Sequence, residues 1–396
     1  MSKKQKLIPE IRFPEFKNEG EWKLKALEDA LDYERPDNYI VSDTNYQNEG
    51  TPVLTANKSF ILGYTNEDFG IYEKLPAIIF DDFTVDNKFV DFPFKVKSSA
   101  IKILTPKKKD DLRFTYELIS QINFNAAEHK RYYISEYQKI NLPFPSINEQ
   151  QKIASCLSSL DDLIEAHSQK LDLLKEHKKG LMQNLFPQEG EKVPKFRFKE
   201  FENDGEWITK KLGQIGEPLM CKRVFKEQTS EDPTGGVPFY KIGTFGKEAD
   251  SYISIELYEE YKNKYSFPKI GDILISASGT IGRLVVYDGA PAFFQDSNII
   301  WLGNNEKTIL NSFLFYCYLT MKWQTSDGGI ISRLYNSDFK NMQVIFPINK
   351  VEQKKIASCF IALDELIKAQ SEKIEQLKLH KKGLMQGLFP KISNEE

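Results

Sequence analysis

The chain has 396 residues, 40% of them apolar and 13% aromatic, which is length for two or three domains and excludes global disorder. Its four cysteines (Cys156, Cys221, Cys317, Cys359) form no CxxC pair, and with only four scattered histidines they argue against a disulfide framework or a zinc site and point to a reducing cytoplasm. The net charge of −3 is poor support for a basic nucleic-acid footprint, and no apolar run approaches the ~18–20 residues of a membrane span. The basic start "MSKKQKLIPEIRF" has no apolar stretch behind it and does not read as a signal peptide.

In chain order, the first distinct word is "RFPEFKNEGEW" at 12–22. A variable stretch follows, with short β-rich runs at "TPVLTANKS" (51–59) and "LPAIIFDDFT" (75–84), then "RYYISEYQKINLPFP" (131–145) as its exit. Next comes a long helical run, "EQQKIASCLSSLDDLIEAHSQKLDLLKEHKKGLMQNLFP" (149–187). The whole order then returns. "RFKEFENDGEW" (197–207) opens a second variable stretch with "VPFYKIGTF" (237–245) and "KIGDILISAS" (269–278). "RLYNSDFKNMQVIFP" (333–347) closes it, and "EQKKIASCFIALDELIKAQSEKIEQLKLHKKGLMQGLFP" (352–390) repeats the helix with 26 of 39 positions identical. Offsets of 203 (380 − 177) for the helices and 185 (197 − 12) for the lead-ins are far longer than a short-period solenoid, so whole domains are duplicated.

Both helical runs keep a 3.5-residue apolar period, the signature of a coiled coil. The seam reads Ile153, Leu157, Leu160, Ile164, His167, Leu171, Leu174, Lys178, Leu181, Leu185 in one and Ile356, Phe360, Leu363, Ile367, Gln370, Ile374, Leu377, Lys381, Leu384, Leu388 in the other. Polar residues interrupt both at matching slots, His167/Gln370 and Lys178/Lys381, which favours mutual pairing with register set by the defects. About 36 residues give a rod of roughly 54 Å, ended by Pro187 and Pro390. The expected fold is α+β: two globular mixed α/β domains separated by a long antiparallel two-helix coiled coil, with pseudo-two-fold symmetry. The expected bounds are 1–148, 149–187, 188–351 and 352–396.

Catalytic signatures are missing. The chain contains no GxxxxGK[ST], no GxGxxG and no Asn-Pro-Pro-aromatic or Asp-Pro-Pro-Tyr run. Glu352 and Lys354 fit half a nuclease motif, but they lie on the helix, lack an upstream Pro-Asp and are replaced by Glu149 and Gln151 in the other copy. "SASGTIGRL" (276–284) reads as a strand and turn rather than a phosphate cradle. His177 and His380 flank a lysine pair on a helix face that is solvated or docks a partner.

This duplicated order of Arg-Phe lead-in, Gly-Glu-Trp, variable domain, Phe-Pro, Glu-Gln-x-Lys-Ile-Ala and Lys-Lys-Gly-Leu-Met-Gln-x-Leu-Phe resembles the specificity (S) subunit of type I restriction-modification enzymes over essentially the whole chain. The resemblance implies two target recognition domains, each reading half of a bipartite, interrupted target in double-stranded DNA. It implies conserved helices that set the spacer and dock two modification (methyltransferase) subunits, with restriction subunits joining the complex. It also implies a non-catalytic, cytoplasmic chain with no cofactor of its own. S-adenosylmethionine belongs to the modification subunits, ATP and Mg to the restriction subunits. A non-catalytic coiled-coil scaffold carrying two binding modules is the alternative of another class. A self-contained enzyme is a third, disfavoured by the missing motifs.

Residues 22–148 hold 16 Lys+Arg against 19 Asp+Glu, so partner subunits are expected to supply positive charge. Lys88, Lys95, Lys97, Lys102 and Lys107–Lys109 nevertheless make one basic stretch. Arg131 and Arg333 hold equivalent places, followed by Tyr133 and Tyr335, and a shared position suits phosphate anchoring. Lys58, Lys241 and Thr244 lie in or beside the matched strand–loop segments, while Arg283 and Gln295 suit guanine and adenine edges.

Overall fold

The computed structural model describes residues 6–57, 59–107, 110–323 and 333–391. The chain divides into two units, Met1–Lys170 with Gln370–Glu396, and Leu171–Ala369. Each unit therefore takes part of both long helices, Ile147–Leu185 and Lys350–Leu388.

The first unit is built on an antiparallel sheet in the order Leu31–Glu34, Ile101–Pro106, Ala77–Asp81, Asn87–Val90. Ala77–Asp81 is buried on both faces because its alternating side chains feed two cores. Ile78 and Phe80 join Trp22, Phe114 and Leu157, while Ala77 and Ile79 join Leu54, Tyr72 and Val96. A smaller sheet, Ile61–Thr65, Thr51–Leu54 and Lys95–Val96, flanks the second core. Helix Leu112–Ile119 starts at Asp111, whose carboxylate accepts from Phe114 N at 2.8 Å, and lays its apolar face on the first core. The ribbon Lys23–Ala26 with Asn141–Phe144 ties entry to exit.

The second unit repeats this plan. Its main sheet runs Pro218–Leu219, Ile299–Leu302, Ile273–Ser276, Leu284–Val286, and Ile208–Lys211 pairs with Gln343–Phe346. Ile273, Ile275 and Ala277 face the core holding Trp207, Phe313 and Phe360, and Leu274 faces the other. Ile78 thus corresponds to Ile273, which corrects the pairing of 75–84 with 269–278 by one residue. A slip of one reverses every side chain of a strand. Helix Ile255–Lys264, capped by Ser254, has no counterpart between Ile61–Thr65 and Ala77–Asp81 of the first unit.

The helix segments run antiparallel within each unit. In the first, Lys381 Nζ reaches Asp161 Oδ2 at 2.7 Å, and Gln370 Nε2 lies 2.7 Å from both Nδ1 and O of His167. In the second, Lys178 pairs with Asp364. The predicted seam residues Leu157, Phe360, Leu363, Ile374 and Leu377 are buried, and Leu160, Ile164, Leu171, Leu174 and Ile367 half-buried. The polar seam slots are filled by these cross-helix pairs. Glu117 and Arg113 join Lys381 and Asp161 in one network, and Tyr316 Oη donates to Asp364 Oδ2 at 2.9 Å.

The repeated words are fastenings. Arg12 and Arg197 grip Glu149 and Glu352, and Gln150 and Gln353 bind back to Pro145 O and Pro347 O while accepting from Asp111 N and Leu310 N. Ile11 N donates to Gly387 O at 2.8 Å, as Phe196 N does to Asn184 O. Beyond each helix end a phenylalanine enters a core. Phe389 stacks on Phe114 (centroids 5.4 Å apart), and Phe186 on Phe313 (5.5 Å).

Candidate nucleic-acid interface

In the first unit, strand Lys95–Val96 passes through a turn at 97–100 into Ile101–Pro106. In the second, Phe293–Phe294 passes through 295–298 into Ile299–Leu302. The bonds that anchor these turns to their surroundings correspond. Lys97 N donates to Leu54 O at 3.0 Å, and Gln295 N to Tyr240 O at 2.9 Å. Asp82 N donates to Ala100 O at 2.8 Å, and Ala277 N to Asn298 O at 2.7 Å. Tyr132 N reaches Asp82 O, and Leu334 N reaches Ala277 O, both at 2.8 Å. The two arginines complete the match: Arg131 Nη1 donates to Ser99 O at 3.3 Å and Arg333 Nη2 to Ser297 O at 3.1 Å. Matching anchors therefore hold two turns that differ in side chains, Lys97, Ser98 and Ala100 against Gln295, Asp296 and Asn298, and in their internal bonds, Ile101 N to Ser98 O in one and Ile299 N to Gln295 O in the other.

Each arginine is held against its own turn. Arg131 keeps half its side chain exposed (51%), 3.6 Å from Asp82 Oδ2 and 5.5 Å over the ring of Phe83. Arg333 is half-buried and holds Ser297, whose φ of 61° lies in the left-handed region that a β-carbon disfavours. Both thus brace a turn while lying beside its rim.

Other predicted positions divide. Tyr133 is corrected: it is 1% exposed, packed edge-on to Tyr33 and Phe80, and burial pushes its hydroxyl well up from the ordinary tyrosine range. Tyr335 in the equivalent place is exposed. Lys95 and Lys102 leave the basic stretch, since they are buried in ion pairs with Glu67 (2.6 Å) and Asp82 (3.1 Å). A buried ammonium needs a counter-charge, and these carboxylates supply it. Lys107 lies 3.7 Å from Asp32, while Lys58, Lys108 and Lys109 lie outside the described residues.

In the second unit Arg283 Nη1 donates to Phe245 O at 2.8 Å, and Gln295 Oε1 accepts from Ile242 N at 2.9 Å. Both brace the turn at 241–246, which Thr244 closes by donating to Lys241 O, while Lys241 pairs with Asp250 at 2.9 Å. Sequence reasoning missed Ser278, Asn298 and the Arg223–Asp296 pair (3.0 Å) beside this rim. Among the described residues no group of three or more His, Cys, Asp or Glu is placed to hold a metal, and no helix is long and apolar enough to cross a membrane.

The family model described as the type I restriction modification DNA specificity domain matches twice, at residues 19–176 and 204–379. The chain belongs to that family. A putative type I restriction enzyme specificity subunit of Haemophilus influenzae, S.HindORF215P, is 35% identical over 81% of this chain and 82% of its own. The EcoR124I/EcoR124II specificity subunit of Escherichia coli is 38% identical over 60% of this chain and 59% of its own. The crystal structure of a type I restriction-modification S subunit from M. genitalium covers 98% of this chain and 100% of its own with a TM-score of 0.67, and at 16% identity it shows the shared fold. As a specificity chain, this protein is a non-catalytic recognition component of a type I restriction-modification system.

Proposed function

We propose that each globular unit reads one half of an interrupted target in double-stranded DNA. Recognition is assigned to 1–148 and 188–351, and the helices at 149–187 and 352–396 set the unread spacer and dock two modification subunits. The observation that carries this reading is the duplicated arginine-held turn with exchanged side chains. Anchors kept constant while the turn they display changes are what two readers of different half-sites require. Phosphate contacts position a protein and base edges specify it, so Arg131, Arg333 and Lys241 are assigned to positioning beside the backbone. Thr244, Arg283, Gln295 and Tyr335 border the reading face of the second unit. Lys58 is retained as a basic candidate of the first from its sequence position.

The net charge of −3 supports a division of labour in which partner subunits contribute cationic surface. The free chain then binds DNA weakly and acts in the cytoplasm within the assembled complex. Methyl transfer is supplied by S-adenosylmethionine on the modification subunits, and ATP and Mg serve restriction subunits.

Single-molecule methylome sequencing of cells with and without this gene tests the reading. Loss of one bipartite methylated motif on deletion is expected; an unchanged methylome removes it. Native mass measurement of the co-expressed complex tests the stoichiometry, with two modification subunits per chain expected and one sinking the docking scheme.

A further inference from the structure

At the rim of the second unit one amide is oriented from behind. Asn298 closes the arginine-held turn, and its Oδ1 accepts from Ser278 Oγ at 2.9 Å. Among the described residues no hydrogen bond engages its Nδ2, the side chain is half-buried, and its partner Ser278 leads into the exposed Gly279 and Thr280. The first unit shows what this bond is not for. There Ala100 stands at the place of Asn298 and Phe83 at that of Ser278, yet the three backbone bonds that anchor the turn and the arginine bond are present. The shared anchors therefore stand without the hydroxyl–amide pair. A bond that is dispensable for the shared anchors, and that differs between the halves together with both its partners, serves what differs between the halves.

We propose that Asn298 is a specificity-determining residue of the second unit, reading an adenine edge in that unit's half-site, with Ser278 as its positioning residue. The proposal rests on the reading of each unit as a half-site reader. An amide donates through Nδ2 to adenine N7 and accepts from N6 through Oδ1. An Oδ1 that already takes the Ser278 hydroxyl keeps a second lone pair for that purpose, and the hydroxyl fixes which side of the amide plane is the donor. Arg223 is drawn to Asp296 at 3.0 Å, leaving Asn298 as the uncharged hydrogen-bonding side chain at the end of the turn.

The test is the methylated motif produced by this chain co-expressed with its modification subunits, read over a library of randomised targets. Asn298→Ala is expected to relax one base position of one half-site, lowering discrimination there roughly 5- to 150-fold, with the other half-site and the spacer unchanged. Asn298→Asp keeps the shape and the Ser278 bond but replaces the donor by an acceptor, and is expected to move the preference at that position from adenine towards cytosine. Ser278→Ala is expected to relax the same position more weakly. An Asn298→Ala complex that methylates the original motif with undiminished discrimination overturns the proposal, as does a change that falls in both half-sites or in the spacer. Should that variant fail to assemble, Asn298→Asp decides, and an unchanged motif overturns the proposal. A wild-type complex that methylates no two-part motif overturns instead the half-site reading beneath it.

Discussion

Arg12 and Glu149 meet in a two-pronged ion pair, Nε to Oε1 at 2.8 Å and Nη2 to Oε2 at 2.7 Å, and Arg197 and Glu352 repeat it at 2.7 and 2.8 Å. The planar guanidinium matches the carboxylate fork, so each Arg-Phe lead-in is pinned to the first turn of the helix that leaves its own domain. The second amino group of each arginine binds lead-in carbonyls, at Glu19 and Gly20 in one copy and Gly205 in the other.

Removing one partner of such a pair strands a buried charge. Glu149 is 1% exposed, so Arg12→Ala is expected to cost ~3–5 kcal/mol of stability. Arg12→Lys keeps the charge, loses the second prong and costs less. Replacing both partners by Leu and Met is expected to recover most of the loss. Urea unfolding midpoints of the four proteins check this, and an Arg12→Ala midpoint equal to wild type refutes the account.

The helix-end phenylalanines fill cores. Phe389 touches the rings of Trp22 and Phe114, and Phe186 those of Trp207, Phe313 and Phe360. Truncation to Ala leaves a cavity worth ~3–5 kcal/mol in each case. The damage is expected to be local: hydrogen exchange should rise in the first unit for Phe389→Ala and in the second for Phe186→Ala. Equal protection losses in both units from either variant contradict the assignment.

Much of this architecture was written openly in the sequence. The 3.5-residue period gave the helices because every seam position must meet apolar surface or a partner. The ion partners of Lys178 and Lys381 were not readable, since Asp364 and Asp161 lie on the other helix and no local spacing links them. The candidate site was harder still. Correspondence between the halves runs at an offset of 198 at the turns (295 − 97) but 202 at the arginines (333 − 131), so insertions hid the match of Ala100 with Asn298. Tyr133 and Tyr335 share a position and differ in burial because the first is roofed by Tyr33 and Phe80.

Burial sets an alkaline limit. Tyr72 is pushed up to about 12 from 10.0 and Cys221 to about 12 from 9.0, both chiefly by desolvation. A folded value above the unfolded one means that the native state holds its proton longer. The stability these groups contribute is complete below pH ~9 and is lost as the pH rises towards 12. Urea midpoints are expected to fall between pH 8 and 10.5. Tyr72→Phe should flatten that fall, at little cost near neutrality, because the Tyr72 hydroxyl has no hydrogen-bond partner among the described residues. A midpoint independent of pH over this range counts against it.

If the helices are the ruler of the proposed function, their length is written in DNA. Inserting four residues after Leu171 adds ~6 Å of helix, close to two base-pair steps, and shifts the seam by about one turn, as in a coiled-coil stutter. The methylated motif is expected to keep both half-sites and change its unread spacer. One or two inserted residues rotate the seam away and are expected to destabilise the fold. A folded, active four-residue variant with an unchanged spacer separates the helices from the measurement of distance.

The route of Phe389 also orders events on the ribosome. Domains usually complete themselves from the amino end as they emerge. Here the amino-terminal unit lacks the Leu388 and Phe389 side chains of its own core until more than two hundred residues after its own sheet have been translated, whereas the second unit, an unbroken stretch from Leu171 to Ala369, already carries Phe186 when its sheet appears and waits for Phe360 and Leu363. The earlier half therefore cannot close its core first: it keeps an open, apolar socket until Phe389 has been made. That interval is when a holding chaperone has something to hold.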